Sequence, residues 1–197
     1  MWGQQDWVVF SNSDVSFPSQ ILRDHLKDLP QIAKIGVWGP EILSASTDSN
    51  QNPFLLNRPT RAKMIFYSSL YQFPTMLYCY EILSNVKKRL FRSAQQRALA
   101  ETTKQPGISK VYAVHGSFFV LSKEFIENVR NVQWPCFLYG EEIWFAEMCN
   151  KYKLGIYYDP NFRVNHLEHT TTSYLSTKNK AKNHFQSIKY LLNTFWK

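Results

Sequence analysis

The sequence has 197 residues, 44% hydrophobic and 19% charged, enough apolar material for a core and too little charge for a disordered chain. Lys and Arg number 23 against 15 Asp and Glu, giving a net charge of +8 and a pI near 9.4. The three cysteines (Cys79, Cys136, Cys149) form no close pair and meet no histidine at zinc spacing, which excludes a disulfide scaffold and a structural zinc site and points to a reducing compartment.

No basic-then-apolar leader opens the chain, and no apolar run approaches the roughly 18 residues of a spanning helix. A cytoplasmic protein is expected, with the inner face of the cell membrane within its reach.

In chain order, residues 7–10 (WVVF) form a short apolar run that predicts a strand buried on both faces, as in a parallel sheet. It ends in the polar tip Ser11-Asn12-Ser13-Asp14. Apolar Ile21, Leu22, Leu26 and Leu29 with charges between them predict a helix stopped by Pro30. Residues 34–38 predict a second strand closed by Gly39-Pro40, completing a βαβ unit. Residues 44–60 are polar and rich in Pro and Asn, and read as a loop.

From Arg61 to about Ala100 the pattern is helical, broken near Pro74. Its first half is aromatic, and its second carries the stripe Ile82, Leu83, Val86, Leu90, Phe91 beside Lys87-Lys88-Arg89. Residues 111–114 then predict a strand, interrupted by His115-Gly116-Ser117 and continued by residues 118–121. Ser122 is placed to cap a helix running to about Val129. A further helix opens at Glu141-Glu142, and residues 155–158 form a strand. Asp159-Pro160 turns the chain into residues 162–164, a strand ending at His166. Residues from about 180 to 196 form an amphipathic helix with Phe185, Ile188, Leu191, Leu192, Phe195 and Trp196 on one face.

The charge is unevenly spread. Residues 57–105 carry +7 and residues 170–197 carry +5, leaving −4 for the rest: a mildly acidic body with two basic appendages.

Three polar groups fall where an open α/β sheet places ligands, beyond strand ends. Asn12-x-Asp14 offers two oxygen-bearing side chains to one hard cation, or simply an Asx-turn. Glu141 and Glu142 open a helix, where the dipole stabilises carboxylates; one of them can also serve as a general base. His166 ends a strand, either as a packed residue or as a metal ligand.

Taken in sequence, strand–NxD, βαβ, a basic insertion, HGSFFVLSKE, FLYGEE–helix and YYDPxFxVxH resemble the acceptor half of a family 2 glycosyltransferase with the GT-A fold. The rhamnosyltransferase-like enzymes of capsule and lipopolysaccharide synthesis are the nearest in pattern, and residues 137–142 and 158–166 carry the likeness best. The resemblance implies an α/β chain with a truncated GT-A-like (Rossmann-like) mixed sheet flanked by helices. Residues 1–197 would form one partial domain, with a basic aromatic helical insertion at 57–105 and an amphipathic tail helix at 178–197. It also implies a nucleoside-binding half upstream of the metal motif. This chain begins about five residues before the corresponding strand, so a fragment, a split gene product or a remnant is expected.

The resemblance assigns roles residue by residue. Asp14 and His166 would hold a divalent metal (Mg²⁺ or Mn²⁺), with Asn12 standing where the family has an Asp. Glu142 would deprotonate the acceptor hydroxyl and Glu141 would position it, each one methylene longer than the commoner Asp. Gly116 would line the donor sugar, and Asn12, His115 and Tyr139 are further substrate-binding candidates. The implied reaction transfers sugar from a nucleotide-sugar donor to a glycan or lipid-linked acceptor. The alternatives are an inactive remnant and a non-catalytic basic module for an anionic membrane surface or nucleic acid. Residues 58–97 could stack on bases, but no RNP-like or KH-like motif is present, so no nucleic acid is expected.

Overall fold

The computed structural model describes residues 7–29, 34–73, 75–76, 107–130, 132–167 and 176–197. They form a mixed α/β chain with a six-stranded mixed sheet and five helices among the described residues. The chain divides into two compact units. The first comprises residues 1–58, 107–134 and 141–169, and the second residues 59–106, 135–140 and 170–197. The charge divides with them: the first unit sums to −3 and the second to +11.

The first unit holds the sheet: β1 (Trp7–Ser11), β2 (Val15–Ser16), β3 (Ile35–Ser44), β4 (Ser109–Val111), β5 (Phe118–Ser122) and β6 (Gly155–His166). The strand order is β1-β5-β3-β6-β2, with β4 also on β6. β1 and β3 are each antiparallel to β5, while β3 and β6 are parallel. The carboxyl ends of β1, β3 and β6 therefore share one end of the sheet with the amino end of β5.

Several sequence expectations change. β1 is an antiparallel strand with β5 as its partner; it is only half-buried, and Val9 is exposed. The βαβ unit is split, because β5 lies between β1 and β3. Residues 111–114 and 118–121 are not one strand: β4 ends at Val111 on β6, and β5 pairs with β1 and β3. Neither Gly39-Pro40 nor Asp159-Pro160 ends a strand. β3 and β6 run through both, and the two irregularities face each other. Pro40 is opposite Asp159, while the next residue, Glu41, is opposite Arg163. A bulge is where a sheet tolerates proline, which has no N–H for the ladder.

Asp159 at this bulge is fully buried. Its carboxylate accepts from Asn161 N at 2.9 Å and Trp38 Nε1 at 3.3 Å, and lies 2.6 Å from His25 Nε2. A buried carboxylate costs several kcal/mol unless so satisfied.

The predicted first helix forms as α1 (Ser19–Asp28). Leu22, Leu26 and Leu29 are buried with Trp38, Ile42, Phe118 and Val164, whereas Ile21 faces solvent. Each buried leucine contributes about 1.5–3 kcal/mol. Ser122 caps α3 (Lys123–Val129) as expected, its hydroxyl accepting from Phe125 N and donating to Ile35 O. α4 (Glu141–Tyr152) contributes Phe145 to an aromatic cluster with Phe10, Phe119 and Phe125. Gly36 is needed for its approach: a Cβ there would lie 2.7 Å from Cys149 Sγ and 2.8 Å from Leu154 Cβ.

In the second unit, α2 (Arg61–Gln72), capped by Thr60, packs on α5 (Thr177–Phe195), capped by Ser176. Leu70 and Ala181 are buried between Tyr67 and Tyr71, and Ile188, Leu191 and Trp196 are buried along α5. α2 ends two residues before Pro74, as a pre-proline restriction requires. The expected continuation of the insertion, including Lys87-Lys88-Arg89, lies outside the described residues. No described helix is long and apolar enough to cross a membrane.

Candidate functional site

The first unit gathers seven of the eight candidate side chains or their backbones around the shared strand end. After β1 the chain makes a tight turn, with Val15 N donating to Asn12 O at 3.2 Å, and Asn12 N donates to Ser117 O at 2.8 Å. Asn12 itself is exposed. The turn delivers Asp14 to β6: Leu167 N donates to Asp14 O at 2.9 Å, and Val15 pairs with His166. Asp14 Oδ1 then lies 3.4 Å from His166 Nε2, with both side chains largely buried. The other ring nitrogen of His166, Nδ1, is 2.8 Å from Gln51 Oε1.

His115 is the next neighbour, its ring centroid 6.2 Å from that of His166. Its backbone N–H donates to Asn52 Oδ1 at 2.6 Å, and its Nδ1 accepts from Ser117 N at 3.2 Å. An Nδ1 that accepts leaves the proton of the neutral ring on Nε2.

Gly116 N donates to Glu142 Oε1 at 3.3 Å. A Cβ at Gly116 would lie 2.9 Å from Glu142 Oε1 and 3.3 Å from Glu141 Oε1, so both carboxyls close on this residue. Around Glu142 the walls are Val37, Val114, Phe119, Phe145 and Ile156. Burial, and then the charge of Glu141, push its carboxyl up to about 8. Burial also raises Glu141, whose Oε2 is buried without a hydrogen-bond partner among the described residues. The first turn of α4 thus holds two carboxyls that resist ionising together.

Contacts therefore run from Asp14 through His166, His115 and Gly116 to Glu142, at the end of the sheet where α4 begins. Tyr139 belongs to the second unit. There its ring stacks on His184 at 3.7 Å between centroids, and Tyr71 covers the imidazole's other contact at 4.4 Å. Burial pushes His184 down to about 4.

Asn50-Gln51-Asn52, in sequence only part of a polar loop, are further residues of the site. Asn50 Oδ1 accepts from Ile42 N and Asn52 N, and its Nδ2 donates to the Tyr158 hydroxyl. Asn52 Nδ2 donates to Pro40 O while its oxygen holds His115. Three adjacent amides thus anchor the loop and both histidines, and the run of amides was the available signal. A second residue unmarked in sequence is structural. Glu147, 6% exposed, accepts from both Arg58 Nε and Nη2 and from the Tyr112 hydroxyl.

Asp14 and His166 present one oxygen and one nitrogen donor side by side. No set of three His, Cys, Asp or Glu side chains forms a metal group among the described residues. Two protein donors suit a hard cation that shares its coordination with phosphate oxygens and water, as Mg²⁺ and Mn²⁺ commonly do. No protein-family model matches the chain, and no curated protein matches it in sequence.

Proposed function

We propose that this chain is part of a glycosyltransferase of the GT-A type, one that moves a sugar from a nucleotide-sugar donor to a glycan or lipid-linked acceptor in cell-surface polysaccharide synthesis. The observation that carries the reading is the Asp14–His166 contact of 3.4 Å at the same end of the sheet as the Glu142–Gly116 contact of 3.3 Å. Asp14 and His166 would hold Mg²⁺ or Mn²⁺, which supplies positive charge against a diphosphate leaving group when bound. Glu142 is the acceptor base: its raised proton affinity matches a group that must take a proton near neutral pH. Glu141 raises that affinity further by its own charge. Gly116 lets both carboxyls close against the backbone, where a Cβ would lie 2.9 Å from Glu142 Oε1.

Thermal melts with Mn²⁺ and a panel of nucleoside-diphosphate sugars test the reading. A stabilisation by Mn²⁺ that disappears in Asp14→Ala and His166→Ala is expected, with weak or no added effect of a nucleotide-sugar on this chain alone. Absence of any Mn²⁺ shift in the folded wild type overturns the reading.

A second reading, peripheral binding to anionic lipid, draws on the second unit. α2 exposes Ile65 and Phe66, followed by exposed Phe73 and Met76, beside exposed Arg61 and Lys63. Aromatic and aliphatic groups next to cations suit the headgroup interface.

A further inference from the structure

We propose that Gln51 is a positioning residue for cation binding: its side-chain oxygen holds the Nδ1 proton of His166, so that the Nε2 lone pair faces Asp14. The inference rests on the reading of Asp14 and His166 as a cation-binding pair.

His166 Nδ1 lies 2.8 Å from Gln51 Oε1, a carbonyl oxygen that can only accept, so Nδ1 donates. In the neutral ring Nε2 then has no hydrogen. It faces Asp14 Oδ1 at 3.4 Å, beyond the usual N–H···O reach of about 2.7–3.2 Å. Two lone-pair atoms turned toward one another, both largely buried, repel unless positive charge, a second proton on the ring or a bound cation, comes between them. Metal-bound histidines generally donate their second ring N–H to an acceptor in just this way, which fixes the tautomer and strengthens the ligand.

Gln51 is itself held in place. Its backbone N–H donates to Ile42 O at 2.8 Å, and the flanking Asn50 and Asn52 tie the loop to β3. His166 is tied from the other side by strand pairing with Val15 and Ser44. The two partners therefore meet with little freedom to rearrange. The competing arrangement reverses the amide, with Gln51 donating to Nδ1 and an Nε2–H pointing at Asp14. That arrangement offers no lone pair to a cation.

Mn²⁺ titrations followed by electron paramagnetic resonance compare the wild type with Gln51→Leu, Gln51→Glu and Asp14→Ala. The expected result is a loss of roughly 10–100-fold in Mn²⁺ affinity for Gln51→Leu, restored by Gln51→Glu, which keeps an acceptor at the same reach. Wild-type affinity in Gln51→Leu, with binding lost in Asp14→Ala, overturns the role of Gln51 and leaves the cation pair standing. No Mn²⁺ binding by the wild type overturns both. Should Gln51→Leu fail to fold, ¹⁵N long-range spectra of wild-type His166 decide: a protonated Nδ1 in the neutral ring is expected, and a protonated Nε2 overturns the inference.

Discussion

Replacing Glu142 with Gln should change how stability depends on pH more than it changes stability itself. In the folded protein the carboxyl titrates near 8 against an ordinary value of 4.5. Its burial among Val37, Phe119, Phe145 and Ile156 accounts for most of the shift. Between these values the unfolded chain has lost the proton while the folded chain keeps it. Stability from this group is therefore complete below the lower value and is lost as pH rises through the upper one. At about 1.4 kcal/mol for each unit of displacement, the full effect approaches about 5 kcal/mol. Relaxation of the surroundings and water drawn in around the new charge reduce this to about 2–3 kcal/mol. Glutamine is a neutral isostere that still offers an oxygen to Gly116 N–H. Urea denaturation at about pH 5 and about pH 9 should show Glu142→Gln near wild type in the first and more stable by about 2–3 kcal/mol in the second. That gain corresponds to roughly 4–12 °C in melting temperature for a chain of this size. An equal difference between variant and wild type at both pH values would refute the reasoning, because the carboxyl would then be solvated in the folded state.

Acidification should loosen the second unit, because His184 titrates near 4 between its tyrosine neighbours whereas the unfolded ring titrates near 6.5. Stability falls as pH drops through that window, and His184→Phe should flatten the dependence, read by Trp fluorescence. Arg58→Ala should cost about 2–4 kcal/mol in chemical denaturation by stranding the buried Glu147 carboxylate, and adding Glu147→Gln should recover part of it. Liposome flotation should show binding that requires anionic lipid, fades with salt, and weakens in an Ile65→Ser/Phe66→Ser double variant. No binding at low salt would reject the membrane reading.

The features legible in the sequence are those whose causes lie within a few residues. The 3–4 spacing of Leu22, Leu26 and Leu29 specifies α1 because one buried face recurs every helical turn. Ser122 announces α3 because a hydroxyl accepting from an N–H three residues ahead is a local bond. The start of α4 at Glu141 and the end of β6 at His166 were legible on similar grounds, as was the polar character of Asn12-x-Asp14.

Strand direction and neighbour order were not legible, because any strand can pair on either edge and in either sense, and only long-range contacts choose. An apolar run such as WVVF therefore looks doubly buried although β1 pairs only with β5 among the described strands. Gly39-Pro40 and Asp159-Pro160 look like terminators because proline lacks a ladder donor. Two such breaks set opposite each other make one bulge, and both strands continue. The same holds for the site. Side-chain type marks Asp14, His166 and Glu142 as candidates, but the apolar walls that hold a proton on Glu142 come from β3, the 112–117 loop, β5, α4 and β6. The contact between Gln51 and His166 joins residues 115 positions apart. Proton affinity and tautomer are set by what surrounds a group in space, and that is decided only when the sheet closes.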